Sequence, residues 1–225
     1  FGFVVVALTT FAWQPHAAGG GLFRTILVSG LVIVWGARLS LHIFLRQRGA
    51  MAEDKRYRAM RESWKGSEAL NAYSRIFLVQ GLSLLVIVIP VIWTNTLSSS
   101  PLNLLDLIGA AVWLFGFLFE TVGDFQLRRF IKNPKNKGKL MTGGLWRYTR
   151  HPNYFGEITQ WWGIFIIALS VPFGWVSIIG PLMISFLIIK VSGVPLLEKK
   201  YAGDKTWEAY KKRTSMLIPL PPRRS

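Results

Sequence analysis

The densest chemistry in this sequence is the run Gly144-Leu-Trp-Arg-Tyr-Thr-Arg-His-Pro-Asn-Tyr-Phe-Gly-Glu157. Arg147, Arg150 and His151 are groups that grip phosphates, the arginines through a planar fork of N–H donors. Tyr148 and Tyr154 add two phenols. Pro152 suits the first turn of a helix, where the free N–H groups of the turn can support the same anion. Asn153 and Glu157 stand four residues apart and share one face of that helix. Upstream, Glu120, Asp124 and Arg128 recur at four-residue steps at the end of an apolar stretch, making one polar stripe on another helix. Pairing of Asp124 with Arg128 along the helix explains that spacing without a ligand, and a shared ligand site explains it with one.

The elements that must position these groups follow from composition. With 51% hydrophobic residues, ten Trp and fifteen Phe in 225 residues, the chain is too apolar for an ordinary soluble domain. The expected fold is all-α, a multi-pass transmembrane helical bundle forming one integral-membrane domain over residues 1–225, with about six spans. The apolar run from Phe1 to Trp13 rises only about 20 Å as a helix against a hydrocarbon core of roughly 30 Å, so the first span is expected to be truncated and the sequence to start inside it. The second runs from Leu22 to Leu45 and carries Arg38 and His42, and the third, Tyr73 to Trp93, carries the amide Gln80. The fourth runs from Leu102 to Arg129 and the fifth from Asn153 to about Ser170. The sixth ends near Leu197, interrupted by Pro181, Gly193 and Pro195. Residues 198–225 read as an interfacial tail in which Tyr201, Trp207 and Tyr210 give an amphipathic segment at the membrane surface.

The formal charge of +16 would suggest nucleic acid on a soluble protein, but here the cations sit between apolar spans and no nucleic-acid partner is expected. Connections 46–75, 128–150 and 190–225 hold 8, 8 and 9 Lys and Arg, which is 25 of 27, while turns 14–21, 94–100 and 171–174 hold none. The positive-inside rule places the basic face and the C-terminus in the cytoplasm, in a bacterial inner membrane or the endoplasmic reticulum. Orientation and contact with anionic lipid also account for such loops in proteins without catalysis. There is no Cys, and His16, His42 and His151 lack metal-ligand spacing. No glycine-rich phosphate fingerprint is present, so a nucleotide would be held by side chains. Convergence of the stripe, the motif and Glu198 with Tyr201 at one face predicts a pocket walled by Trp113, Trp161 and Trp162, suited to a polar cofactor meeting an apolar substrate.

The string from Gly143 to Glu157, with Asp124 and Arg128 ahead of it and Ile218-Pro219 behind, resembles the DUF1295 family of membrane proteins. That family is similar to the C-terminal domain of steroid 5α-reductases and, more distantly, to sterol reductases and isoprenylcysteine methyltransferases. The resemblance implies NADPH as cofactor and reduction of a carbon–carbon double bond conjugated to a ketone, in a steroid or other lipid. Asp124, Asn153 and Glu157 match the reductases' cofactor-site pattern, with Gly156 as the small residue between them. The candidate cofactor-binding set is Asp124, Arg128, Arg147, Tyr148, Arg150, His151, Asn153, Tyr154, Glu157 and Glu198. Two departures stand out. The reductases' adjacent Gln-Glu pair, which polarises the substrate ketone, has no counterpart, and Glu198-Lys-Lys-Tyr201 stands where they place an Arg and a His.

Three classes stay open: an NADPH-dependent enone reductase, a methyltransferase using S-adenosylmethionine on a lipid or prenylated thiol, and a non-catalytic lipid-binding protein. For the first, the proton donor must come from elsewhere, and the candidates are Tyr57 with Glu53 in the first basic connection and Gln80 as a polarising amide. A phenol flanked by Arg56 and Arg58 can protonate an enolate. A solvated loop with an interfacial tyrosine is the plain alternative.

Overall fold

The computed structural model describes residues 2–13, 20–47, 64 and 66–223. Helices dominate these residues, and no strand occurs among them. All six expected apolar segments are helical. Four of them, Leu22–Leu45, Leu70–Ile87, Leu104–Lys132 and Gly174–Lys199, are long and apolar enough to cross a membrane. The chain falls into two compact units, Phe1–Leu102 and Asn103–Ser225.

In the first unit, α1 (Gly2–Ala12) packs on α2 (Leu22–Gln47) and both pack on α5 (Ile89–Leu97). A short α3 (Glu68–Ala72) runs through a π-helical stretch at Tyr73–Leu78 into α4 (Val79–Ile87). The line between α4 and α5 breaks at Val88, and Pro90 in the first turn of α5 has no N–H to donate back to the preceding turn. Polar groups bind the three packed helices together. The buried Asn95 donates through Nδ2 to Ala7 O at 3.4 Å, Thr10 Oγ1 at 3.0 Å and Ser29 Oγ at 3.1 Å. Such bonds are the favoured cement between helices whose surroundings offer no water.

The second unit is built on α6 (Leu104–Lys132) and α7 (Pro152–Ala168), which pack along most of their length. A capping box fixes the start of α6: Asn103 Oδ1 accepts from Leu105 N and Asp106 N, and Asn103 N donates to Asp106 Oδ2 at 2.7 Å. The helix thus begins two residues after the expected start and continues to Lys132. Glycines recur every seventh residue on both helices, at 109, 116 and 123 and at 156 and 163. A Cβ on Gly156 would lie 2.5 Å from Glu120 N and Gly116 O, and one on Gly163 would lie 2.7 Å from Gly109 O and Trp113 N. Backbones therefore touch along this seam, the close approach that small residues allow in a membrane. At 17 residues, α7 rises about 25 Å.

Beyond α7, a 3-10 turn, α8 (Ile179–Phe186) and a π-helical turn at Leu187–Val191 form the last long apolar segment. Two shorter helices follow, α9 (Val194–Lys199) and α10 (Lys205–Arg213). Asp204 caps α10, accepting from Thr206 N at 2.7 Å and Trp207 N at 3.2 Å. The bonds from Trp207 and Thr206 hold its exposed carboxyl below the usual range.

Candidate functional site

The motif enters α7 through a tightly held turn. Gly144 has φ +59°, and a Cβ there would also collide with the side chain of Gln126, whose Oε1 accepts from Leu145 N at 2.9 Å. Trp146 is buried and donates through Nε1 to Gly123 O at 3.1 Å, fixing the turn to α6. From the other side Tyr210 donates its hydroxyl to Trp146 O. Burial raises the pKa of that phenol above its ordinary value, so Tyr210 stays a donor.

These anchors bring Arg150 and His151 to the head of α7. Arg150 is 6% exposed and His151 is the N-cap residue, 2% exposed. Glu198 of α9 meets both: Arg150 Nη2 is 3.3 Å from its Oε1, and His151 Nε2 is 3.1 Å from the same oxygen. Arg150 also lies over the Trp207 ring at 5.8 Å, and Tyr154 stacks on His151 at 5.5 Å. Burial lowers the pKa of His151, outweighing the opposing hydrogen bond and charge of Glu198, so the ring is neutral at pH 7.

Several polar atoms at this point are left over. Arg150 Nε and Nη1, His151 Nδ1 and Asn153 Oδ1 are buried with no hydrogen-bond partner among the described residues. Orphaned buried donors are uncommon, and two of them on one charged side chain are costly to leave unmet. Its two free donors suit phosphate or carboxylate oxygens, and the free acceptors on His151 and Asn153 suit hydroxyl or amide hydrogens.

The other candidates distribute as follows. Arg147 and Tyr148 are exposed, and Tyr148 O accepts from Leu220 N at 3.0 Å. Asp124 and Arg128 are half-buried on α6, and Asn153 and Glu157 half-buried on α7. The helices meet there, since a Cβ on Gly123 would lie 3.3 Å from Asn153 N. Gln80 is exposed at the start of α4 in the first unit. Tyr57 and Glu53 lie outside the described residues. Trp113 and Trp161, expected as pocket walls, are packed in the protein interior at 4% and 1% exposure, and Trp162 is half-buried with Nε1 3.4 Å from Ser185 Oγ. The aromatic face of α10 is not left for lipid, because Trp207 and Tyr210 are buried against the motif.

Two features were missed in the sequence. Gln160 on α7 donates through Nε2 to Glu120 Oε2 at 2.7 Å, both residues being buried. The pair follows from the heptad glycines, which set the facing registers of α6 and α7 and were legible as a repeat. Arg213 and Arg223 also converge on Arg147 around a cavity of about 580 Å³, with Thr142, Tyr210, Thr214 and Pro222. Nothing in their spacing signals this, since contacts far apart in sequence bring them together.

Part of the chain is similar to steroid-metabolising enzymes. It is 33% identical over 114 residues to 3-oxo-5-alpha-steroid 4-dehydrogenase 1 of Macaca fascicularis, 51% of this chain and 40% of that protein. It is 38% identical over 69 residues to the Bos taurus enzyme of the same name, 31% of this chain and 26% of that one. A probable O-methyltransferase of Ustilaginoidea virens is 46% identical over 46 residues, 20% of this chain and 16% of that protein. The chain thus spans less than half the length of each of these relatives. No solved structure matches it. The family described as "Protein of unknown function (DUF1295)" matches residues 1–214, and the chain belongs to that family.

Proposed function

We propose that this protein is an NADPH-dependent reductase of a carbon–carbon double bond conjugated to a ketone in a steroid or other lipid. The observation that carries the reading is the buried Arg150, whose Nε and Nη1 donors are unmet at the head of α7. The similarity to 3-oxo-5-alpha-steroid 4-dehydrogenases supports the reaction class. The 25 of 27 Lys and Arg on one set of connections support a cytoplasmic C-terminus and motif, which a reporter fused after Ser225 checks.

The chemistry that NADPH supplies when bound is a hydride for the β-carbon of the enone. The chain's part is to bind and orient. Arg150 and the free N–H groups of the first turn of α7 hold phosphate oxygens, with Arg147 nearby in sequence on the exposed turn. Glu198 keeps the Arg150 fork in place through Nη2 and leaves the other two donors free. Asn153, Glu157, Asp124, Arg128, Tyr148 and Tyr154 complete the proposed set around the same helix ends. Neutral His151 gives no proton at pH 7 and serves as a hydrogen-bonding group. Tyr57, supported by Glu53, is the proposed proton donor to the α-carbon side, and Gln80 the amide that polarises the ketone. Single-turnover reduction of a test enone by Tyr57→Phe checks this: loss of the acid slows it by about 100-fold or more with NADPH binding intact.

Methyl transfer from S-adenosylmethionine is the second reading, favoured by the match to a probable O-methyltransferase. The free donors of Arg150 also suit that cofactor's carboxylate. Thermal unfolding of the detergent-purified protein separates the two. Stabilisation by NADPH but not S-adenosylmethionine is expected, worth about 2.7 kcal/mol at a hundredfold excess over Kd. Stabilisation by S-adenosylmethionine alone overturns the reductase reading.

A further inference from the structure

Arg147, Arg213 and Arg223 come from three different places in the chain and face one cavity. Arg147 ends the motif's turn, Arg213 is the last residue of α10, and Arg223 lies on the strap that follows. The strap is held along the motif. Arg150 N donates to Ser215 O at 2.9 Å, Thr149 Oγ1 to Met216 O at 3.2 Å, and Leu220 N to Tyr148 O at 3.0 Å. Arg223 N then donates to Arg213 O at 2.9 Å, closing the strap on its own beginning and bringing two arginines ten residues apart together. A second cavity, of about 290 Å³, includes Arg150, Lys211 and Lys212 and shares Arg213, Thr214 and Arg223 with the first.

No acidic residue lines either cavity. Among the described residues no carboxylate pairs with Arg147, Arg213 or Arg223. The macrodipole of α10 accounts for Lys211, Lys212 and Arg213 in its last turn, but not for Arg147 and Arg223 on other elements facing the same space. Cations of one sign in a concavity focus the field on an anion, and three guanidinium forks suit a group with several oxygens and two charges. We propose that this cup takes a phosphate monoester dianion. Resting on the reductase reading, that group is the 2′-phosphate that distinguishes NADPH from NADH, while Arg150 in the adjoining cavity takes the pyrophosphate.

The test measures binding to the detergent-purified chain, wild type against Arg213→Gln/Arg223→Gln, with NADPH, NADH, 2′-AMP and 5′-AMP. Short-chain phosphatidic acid and phosphatidylcholine complete the panel. Arg147→Gln, outside the strap, keeps the test readable if the double variant fails to fold. Expected for the wild type is NADPH binding tighter than NADH by about 30-fold, with the double variant lowering that ratio several-fold at unchanged NADH affinity, and Arg147→Gln weakening NADPH several-fold more than NADH. Binding of 2′-AMP but not 5′-AMP, lost in the same variants, supports the same conclusion. Arginine-dependent binding of phosphatidic acid alone, with neither dinucleotide bound, keeps the phosphate cup but assigns it to a lipid headgroup and removes the reductase reading. NADPH and NADH binding equally in wild type and variants leaves the reductase reading standing and overturns the cup.

Discussion

Two buried arginines, one in each unit, show how differently the same side chain is used. Arg24, 0% exposed, is surrounded by acceptors: Nη1 donates to Ser98 Oγ and Ser100 O at 3.1 Å and to Ser100 Oγ at 3.2 Å, and Nη2 to Pro101 O at 2.8 Å. Arg150, 6% exposed, has one carboxylate on Nη2 and leaves Nε and Nη1 unmet. The first arginine ties α2 to the chain that follows α5, and its hydrogen-bonding capacity is used within the fold. The second holds unused capacity at a helix N-terminus, beside a cavity lined by further cations. On the reading proposed above, the number of donors the fold leaves open is what separates the structural cation from the ligand-binding one.

The contrast can be broken by mutation. Arg24→Ala leaves the buried Ser98 hydroxyl and the carbonyls of Ser100 and Pro101 without their donor and opens a hole at a fully buried site, and the expected result is a loss of about 3 kcal/mol of stability in detergent. Thermal unfolding measures it, and cofactor affinity of the folded fraction is expected to stay unchanged. Gly156→Ala, which puts a Cβ 2.5 Å from Glu120 N, is expected to cost about 1–3 kcal/mol by forcing α6 and α7 apart. Gly123→Ala, with its nearest contact at 3.2 Å, should cost clearly less. An equal cost for the two would contradict the close seam.

The smallest expected effect is on pH dependence. Burial lowers the folded pKa of His151 below its unfolded value near 6.5, so the unfolded chain takes up a proton first as pH falls. The contribution is fully present above pH 6.5 and is lost as pH drops from there toward the folded pKa. Melting temperature should therefore fall between pH 7.5 and 5.5, and His151→Gln should flatten part of that slope. A slope unchanged by the substitution would place the titration elsewhere.

Much of this was legible in the sequence. Apolar runs placed all six helical segments, and the motif's Pro152 marked the start of α7. Glu198 was named beside the motif, and the structure joins it to Arg150 and His151. The start of α6 was missed by two residues although Asn103 and Asp106 spell a capping box. The glycine heptads were also present to be read, and with them the Glu120–Gln160 pair. Arg24 lay beyond local pattern, since its partners are more than seventy residues away. The same holds for Arg213 and Arg223, brought to Arg147 by a strap without regular structure, and for Trp207 and Tyr210, whose amphipathic spacing fits a membrane surface and a protein surface equally well.

The claim that Arg150 is kept open for a cofactor anion is tested most directly by titrating NADPH into Arg150→Ala beside the wild type, with unfolding followed on the same samples. The account predicts an affinity lower by about 10-fold or more, from the loss of charge-assisted bonds of roughly 1.5–3 kcal/mol, in a protein that still folds. Wild-type affinity in a folded Arg150→Ala protein would contradict it.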